Sequence, residues 1–184
     1  MTDNPSSPIS LDETQNNHEV LAMIEIPRGS RNKYEFDEES GKFFLDRVLY
    51  SSVHYPTDYG YVPETLADDG DPLDICVLMT EPSFPGCHIL ARPIGGLEMT
   101  DEKGEDFKLL AVPVNDPRFN HYTDLSQVGT HWLDEIEHFF ATYKMLEKKI
   151  TTIDGWHGLH RAIEEIEDSK RMWAEMQARK QNQL

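Results

Sequence analysis

The hydrophobic period changes once along this chain, and that change limits the fold more than any other feature. From residue 20 to about 112, apolar side chains come in short runs that alternate with polar ones. From residue 130 the period lengthens: Trp132, Leu133, Ile136, Phe139, Phe140, Tyr143 and Leu146 fall at i, i+1, i+4, i+7, i+8, i+11 and i+14. Alternation marks half-buried strands, and the longer spacing marks an amphipathic helix. Six to eight short strands followed by helices suggest an α+β fold, mainly β, in which a small barrel is backed by helices.

The strands are expected at Val20 to Ile26, Lys33 to Phe36, Phe43 to Leu49, Asp74 to Met79 and Ile89 to Pro93. Leu97 to Thr100 and Lys108 to Val112 read as the arms of a hairpin, which brings Asp101 and Asp106 together at its base. Ser51 to Pro63 reads as a loop with Tyr55, Tyr59 and Tyr61 close together, and Asn115 to Gly129 as another. The spacing predicts one helix over about Thr130 to Lys148, a break at Asp154-Gly155-Trp156, and a second helix from His157 to about Lys180. Acids early in the first helix and lysines late in it suit the helix macrodipole. Residues 1–18 are polar and read as a disordered tail, leaving one domain over 19–184.

The net charge of −17 argues against nucleic acid or an anionic membrane as partner. No apolar run approaches the roughly 20 residues that span a bilayer, and the first residues lack a signal-peptide core. Cys76 and Cys87 lack zinc or redox spacing, and reduced thiols fit them best. A cytoplasmic protein is the expectation.

The chemistry concentrates at Asp68-Asp69-Gly70-Asp71-Pro72-Leu73-Asp74. Carboxylates this close repel, and hard divalent cations with oxygen ligands are their natural counterions. Asp101 and Asp106 form a second cluster. If both clusters share one barrel rim, they make an all-oxygen site for two or more Mg²⁺ ions. Lys33, Arg47, Lys108 and Lys144 stand beside apolar patterns, and with Tyr55, Tyr59 and Tyr143 they suit a small polyanion. Three readings follow: a metal-dependent enzyme that activates water against a small phosphoryl polyanion, a nucleotide- or single-strand-binding barrel, and a metal-buffering protein.

These residues also carry a resemblance. Asp69-Gly70-Asp71-Pro72-Leu73-Asp74 resembles the signature of the family I soluble inorganic pyrophosphatases. Ile24-Glu25-Ile26-Pro27, Asn32-Lys33-Tyr34-Glu35, Leu45-Asp46-Arg47 and Tyr55-Pro56-Thr57-Asp58-Tyr59-Gly60-Tyr61 match in order. So do Met99-Thr100-Asp101-Glu102, Gly104-Glu105-Asp106, Lys108, His138-Phe139-Phe140 and Tyr143-Lys144. The resemblance implies an OB-like closed barrel with two C-terminal helices. It implies hydrolysis of pyrophosphate to two phosphates with several Mg²⁺ per site, Mn²⁺ being a possible substitute. The implied metal ligands are Asp69, Asp74, Asp101 and Asp106, with Glu25 acting through water. Asp71, or Asp106 in its place, accepts the proton of the attacking water. Lys33, Glu35, Arg47, Tyr59, Tyr143 and Lys144 are implied at the substrate, supported by Tyr55, Glu102 and Lys108. A homo-oligomer, a hexamer in bacterial members, is implied as well. One departure stands out: many members carry Gly-Lys after the first helix, and this chain has Lys148-Lys149.

Overall fold

The computed structural model describes residues 18–182, so nearly all of the expected tail over 1–18 lies outside the described residues. Eight strands and two helices follow in order: β1 Val20–Ile26, β2 Asn32–Asp37, β3 Lys42–Val48, β4 Asp58–Tyr61, β5 Asp74–Val77, β6 His88–Asp101, β7 Gly104–Pro113, α1 Thr130–Thr142, β8 Thr152–Gly158 and α2 Leu159–Gln181. Strands β1, β4, β5, β7 and β6 hydrogen-bond in that order, and a further pairing of β1 with β6 closes the ring. The result is the expected OB-like closed barrel, five strands round, with β8 added along the outer half of β6.

Closure depends on the length and bend of β6. Its first residues pair with β1, from Val20 opposite Ala91 to Met23 opposite His88. Its last residues pair with β8, from Gly95 opposite Gly158 to Thr100 opposite Thr152. A register shift between Pro93 and Gly95 separates the two halves. Proline donates no ladder hydrogen bond, and Gly95 takes φ +157°, so the strand turns a corner there without ending. The sequence reading divided this strand in two at that point. Two further differences from the sequence expectation are strands: β4 forms where a loop is expected, and β8 where a break is expected. Gly60 is required in β4 because a Cβ there would lie 1.9 Å from the Met23 carbonyl oxygen of β1. In β8, Gly155 at φ +138° marks the register shift that lets the strand follow β6.

Strands β5 and β7 are buried on both faces. Ile75, Val77, Leu109 and Ala111 pack with Ala162 and Ile166 of α2. Cys76, Leu110 and Val112 point the other way, into a cluster with Ile136, Phe139 and Phe140 of α1. Each helix thus covers its own apolar set, as layered packing requires. Both cysteines are free thiols, in line with expectation.

The β2–β3 hairpin stands apart from the barrel as a separate two-stranded sheet. Most of β3 lacks a core beneath it: Leu45 is 54% exposed and Phe44 52% exposed, while Leu49, just past the strand, is buried. The hairpin's base is tied to the loop that leads into β4: Gly29 N–H donates to the Tyr55 carbonyl and Tyr55 N–H to that of Ser30, while Leu49 N–H to the Arg31 carbonyl closes the hairpin itself.

Helix α1 ends at Thr142, six residues before the expected limit. The Thr142 hydroxyl donates back to the His138 carbonyl, and the Thr151 hydroxyl reaches the Phe140 carbonyl at 2.8 Å. Side-chain hydroxyls thereby satisfy carbonyls that a continuing helix would have used. The chain then makes a 3₁₀ turn at Met145–Glu147. Tyr143 and Lys144 are left at the junction, pointing toward the barrel rim.

Candidate active site

At one rim of the barrel lies an open cavity of about 490 Å³. Its wall gathers residues from six separate stretches of chain. The acid turn contributes Asp69, Asp71 and Asp74; the β6–β7 hairpin contributes Asp101, Glu102, Lys103, Asp106 and Lys108. Lys33, Glu35 and Arg47 come from the β2–β3 hairpin, and Tyr143, Lys144 and Lys149 from beyond α1. Glu25 and Tyr59 complete it. Every site residue expected from sequence lines this cavity except Tyr55. That side chain is 2% exposed and packs behind Tyr59, ring centres 5.4 Å apart, and against Phe139 at 4.7 Å. Tyr55, Tyr59 and Tyr143 form one aromatic wedge, all nearly buried. Their faces are spent on packing, which removes the stacking platform that a nucleotide-binding barrel needs.

The acid turn is built by short-range bonds. Gly70 takes φ +90°, the Ala67 N–H donates to the Asp71 carbonyl, and the Asp71 N–H donates to Asp69 Oδ1 at 3.0 Å. Thr65 secures its base: its hydroxyl donates to the Val62 carbonyl and accepts from the Leu73 N–H at 2.9 Å. The Leu66 N–H donates to the Ser169 carbonyl of α2, so the turn is held from below as well. These bonds explain why Gly70 and Pro72 sit between the acids, and how β5 begins with Asp74 already aimed at the cavity.

The carboxylates meet cations in pairs. Lys108 is 4% exposed and lies between Asp74 and Asp106, the latter at 2.6 Å. Its ammonium stands 5.8 Å from the ring centres of both Tyr59 and Phe140. Burial alone would discharge a lysine, but the two flanking carboxylates hold its pKa well above the ordinary value. Lys144 reaches Asp101 at 2.7 Å and Glu102 at 3.3 Å. Lys149 reaches Glu102 at 2.7 Å. Although burial pushes Glu102 up, the hydrogen bond from Lys149, the bond from its own backbone N–H and then the Lys144 charge together bring it down to about 2. Lys33 pairs with Glu35, and Lys103 with Asp71. Arg47 is held by Glu147 at 2.9 Å and by Asp46 at 2.5 Å.

Cations are still outnumbered, since the wall carries nine carboxylates against six basic side chains. The imbalance shows in the acids. Burial, and then the Asp74 charge, pushes the Glu25 carboxyl up to about 7 even though it accepts a hydrogen bond from the Phe36 N–H at 2.7 Å. Asp106 is raised too, by burial first and by Asp74 in part. Oxygen donors short of positive charge suit a hard divalent ion such as Mg²⁺. Among the described residues, no three carboxylate, histidine or cysteine side chains stand close enough to hold one ion as placed. Lys108 stands between Asp74 and Asp106, Lys144 against Asp101, and Lys103 against Asp71. The donor chemistry fits the metal; side-chain rearrangement must accompany its entry.

The structure gives roles to three wall or wall-supporting residues to which the sequence assigns none. Lys103 is at the tip of a hairpin whose turn was visible, though its reach to Asp71 was not. Glu147 lies in the 3₁₀ turn after α1, where it pairs with Arg47 at 2.9 Å. Lys149 was noted without a role. Its position answers the missing glycine: Lys148 itself adopts φ +59°, the left-handed conformation that glycine takes without strain, and so Lys149 still turns into the cavity.

Comparison with known proteins agrees with this geometry. Residues 22–174 match the family model described as inorganic pyrophosphatase. An inorganic pyrophosphatase of Synechocystis sp. is 56% identical over 149 residues, covering 81% of this chain and 88% of the relative. One from Methanosarcina acetivorans is 50% identical over 165 residues, covering 90% of this chain and 98% of the relative. Among solved structures, the inorganic pyrophosphatase of Thermus thermophilus superposes with a TM-score of 0.85 at 42% identity, covering 92% and 97% of the two chains.

Proposed function

The chain belongs to the inorganic pyrophosphatase family, and from that premise we propose Mg²⁺-dependent hydrolysis of pyrophosphate to two phosphates in the cavity at the barrel rim. The enzyme is an inorganic diphosphatase, a hydrolase of phosphoanhydrides. The observation that carries the site assignment is the meeting of an acid-rich half and a lysine–arginine–tyrosine half across one cavity.

In this reading Asp69, Asp74, Asp101 and Asp106 hold Mg²⁺ directly, and Glu25 does so through water. Bound there, Mg²⁺ supplies Lewis acidity toward water and neutralises developing phosphoryl charge. Lys33, Arg47, Tyr143 and Lys144 bind the phosphate oxygens and fix the phosphorus in line with the attacking water. Tyr59 directs its hydroxyl into the same space, while Tyr55 supports it from behind. Arg47 arrives preoriented, because Glu147 and Asp46 hold its guanidinium before substrate enters. Glu35 and Glu102 position Lys33 and Lys144, and Lys108 keeps Asp74 and Asp106 from repelling each other.

The proton of the attacking water goes to Asp71. Its side chain is 60% exposed and open to solvent at the cavity mouth, whereas Asp106 is 13% exposed and fixed to Lys108. An exposed carboxylate can take a proton and pass it to bulk water. No covalent phosphoenzyme is needed.

Residues 19–184 form one catalytic domain in this account, with a tail before it. The enzyme works in the cytoplasm; among the described residues no helix is long and apolar enough to cross a membrane. It assembles as a homo-oligomer, a hexamer by family analogy. Phe44, Leu45, Val48 and Tyr50 on the β2–β3 hairpin, and Met145, Leu146 and Ile150 beyond α1, give that assembly apolar surface to cover. Phosphate release from pyrophosphate, measured with Mg²⁺ present and with Mg²⁺ chelated, tests the central reaction. Equal rates under the two conditions would remove the metal from it.

A further inference from the structure

Five lysines pair with acids of the cavity wall, and they differ in how firmly they are held. Lys108 is 4% exposed and Lys144 11% exposed, so each is enclosed by the wall. Lys103 is 55% exposed, and its partner Asp71 is 60% exposed. Displacing a buried ammonium from its carboxylate strands a charge, whereas an exposed ion pair separates at little cost. Lys149 is 44% exposed and Lys33 21% exposed, so Lys103, the most exposed of the five, is the cation whose release from its carboxylate costs least.

Its anchorage is specific. The tip of the β6–β7 hairpin turns through Gly104 at φ +127°, and the Lys103 N–H donates to Asp101 Oδ1 at 2.8 Å. From there the side chain crosses to Asp71, whose own N–H donates to Asp69 Oδ1 at 3.0 Å. Both ends of the ion pair thus rest on carboxylates assigned above to Mg²⁺. The pair joins the two acid clusters across the cavity.

We infer that Lys103 is a positioning residue that competes with Mg²⁺: it straps the acid turn to the hairpin tip while the site lacks metal, and it releases Asp71 when metal enters. The inference rests on the metal assignment made above. A unit charge a few ångströms from an exposed dication site opposes the dication even in a water-like dielectric, and its removal tightens Mg²⁺ binding roughly three- to ten-fold. The strap also determines when Asp71 is free to accept a proton, so metal loading and readiness of the base are linked through one side chain.

The experiment is a calorimetric titration of Mg²⁺ into the full-length chain without substrate, at low salt, for the natural protein, Lys103→Met and Lys103→Arg. Lys103→Met is expected to bind Mg²⁺ three- to ten-fold more tightly at its weakest site, and Lys103→Arg to bind like the natural protein. The difference should shrink at high salt, because an exposed pair is screened. Circular dichroism establishes that each variant is folded. Unchanged or weaker Mg²⁺ binding by Lys103→Met, beside a natural protein that does bind, overturns the role of Lys103 alone. A natural protein that takes up no Mg²⁺ overturns the metal assignment and this inference together.

Discussion

Replacing Lys108 by methionine should cost stability in a way that added Mg²⁺ repairs. The ammonium is 4% exposed and sits between Asp74, 26% exposed, and Asp106, 13% exposed. Methionine keeps most of the aliphatic stem on the Tyr59 and Phe140 rings, so the main loss is the charge. Removing one partner of a buried ion pair costs about 3–5 kcal/mol, because the remaining charge is left uncompensated. Asp74 keeps some contact with water, which puts this case near the low end, about 3 kcal/mol. For a chain of this size each kcal/mol lowers the melting temperature by about 2–4 °C, giving a loss of roughly 6–12 °C. Those figures apply in chelator. With Mg²⁺ in excess, the ion supplies the missing charge between Asp74 and Asp106, and ligand binding to the native state adds its own stabilisation. The difference between the variant and the natural protein should then fall to less than half. Differential scanning calorimetry with chelator and with saturating Mg²⁺ makes the comparison. An equal loss in both conditions would show that Lys108 serves only the packing of the wall.

Three other outcomes follow from the same geometry. Asp71→Asn should retain Mg²⁺ binding, read by calorimetry, while turnover falls by roughly 10²–10⁴-fold, the usual range for loss of a general base; near-normal turnover would move the proton to another group. Lys148→Gly should raise stability by about 0.5–1 kcal/mol, since glycine occupies a left-handed position without the penalty of a Cβ. A lower melting temperature in that variant would mean that the Lys148 side chain contributes more than its backbone costs. Sedimentation equilibrium should show an assembly larger than the single chain, and charged substitution at Leu45 or Leu146 should weaken it; a monomer at micromolar concentration would contradict the oligomer reading.

Much of the fold was legible because local pattern and burial coincide. In β1 the alternation of Val20, Ala22 and Ile24 matches one buried face, Ile26 turns to the other core cluster past a register shift, and Glu25 lies toward the cavity. The acids at 69–74 were legible as a unit because turn chemistry and charge reside in adjacent residues. Features set by distant partners were not. Strand β4 has all four residues buried, so it shows no alternation to detect. Continuity of β6 through Pro93 and Gly95 depends on β1 and β8 pairing with its two halves. The early end of α1 depends on Thr151, which lies beyond the helix and returns to its last carbonyls. In the site, residue types already fixed the acid and lysine halves. The pairings that organise them, Arg47 with Glu147 and Lys103 with Asp71, span 100 and 32 residues of sequence and belong to the tertiary structure alone.

The most direct test of the account is the initial rate of phosphate release from pyrophosphate over a Mg²⁺ series that begins in chelator. The account predicts no turnover without Mg²⁺, a rise steeper than first order in Mg²⁺ because several ions must load, and two phosphates released per pyrophosphate consumed. Release that proceeds equally in chelator, or no release at any Mg²⁺ concentration, would contradict it.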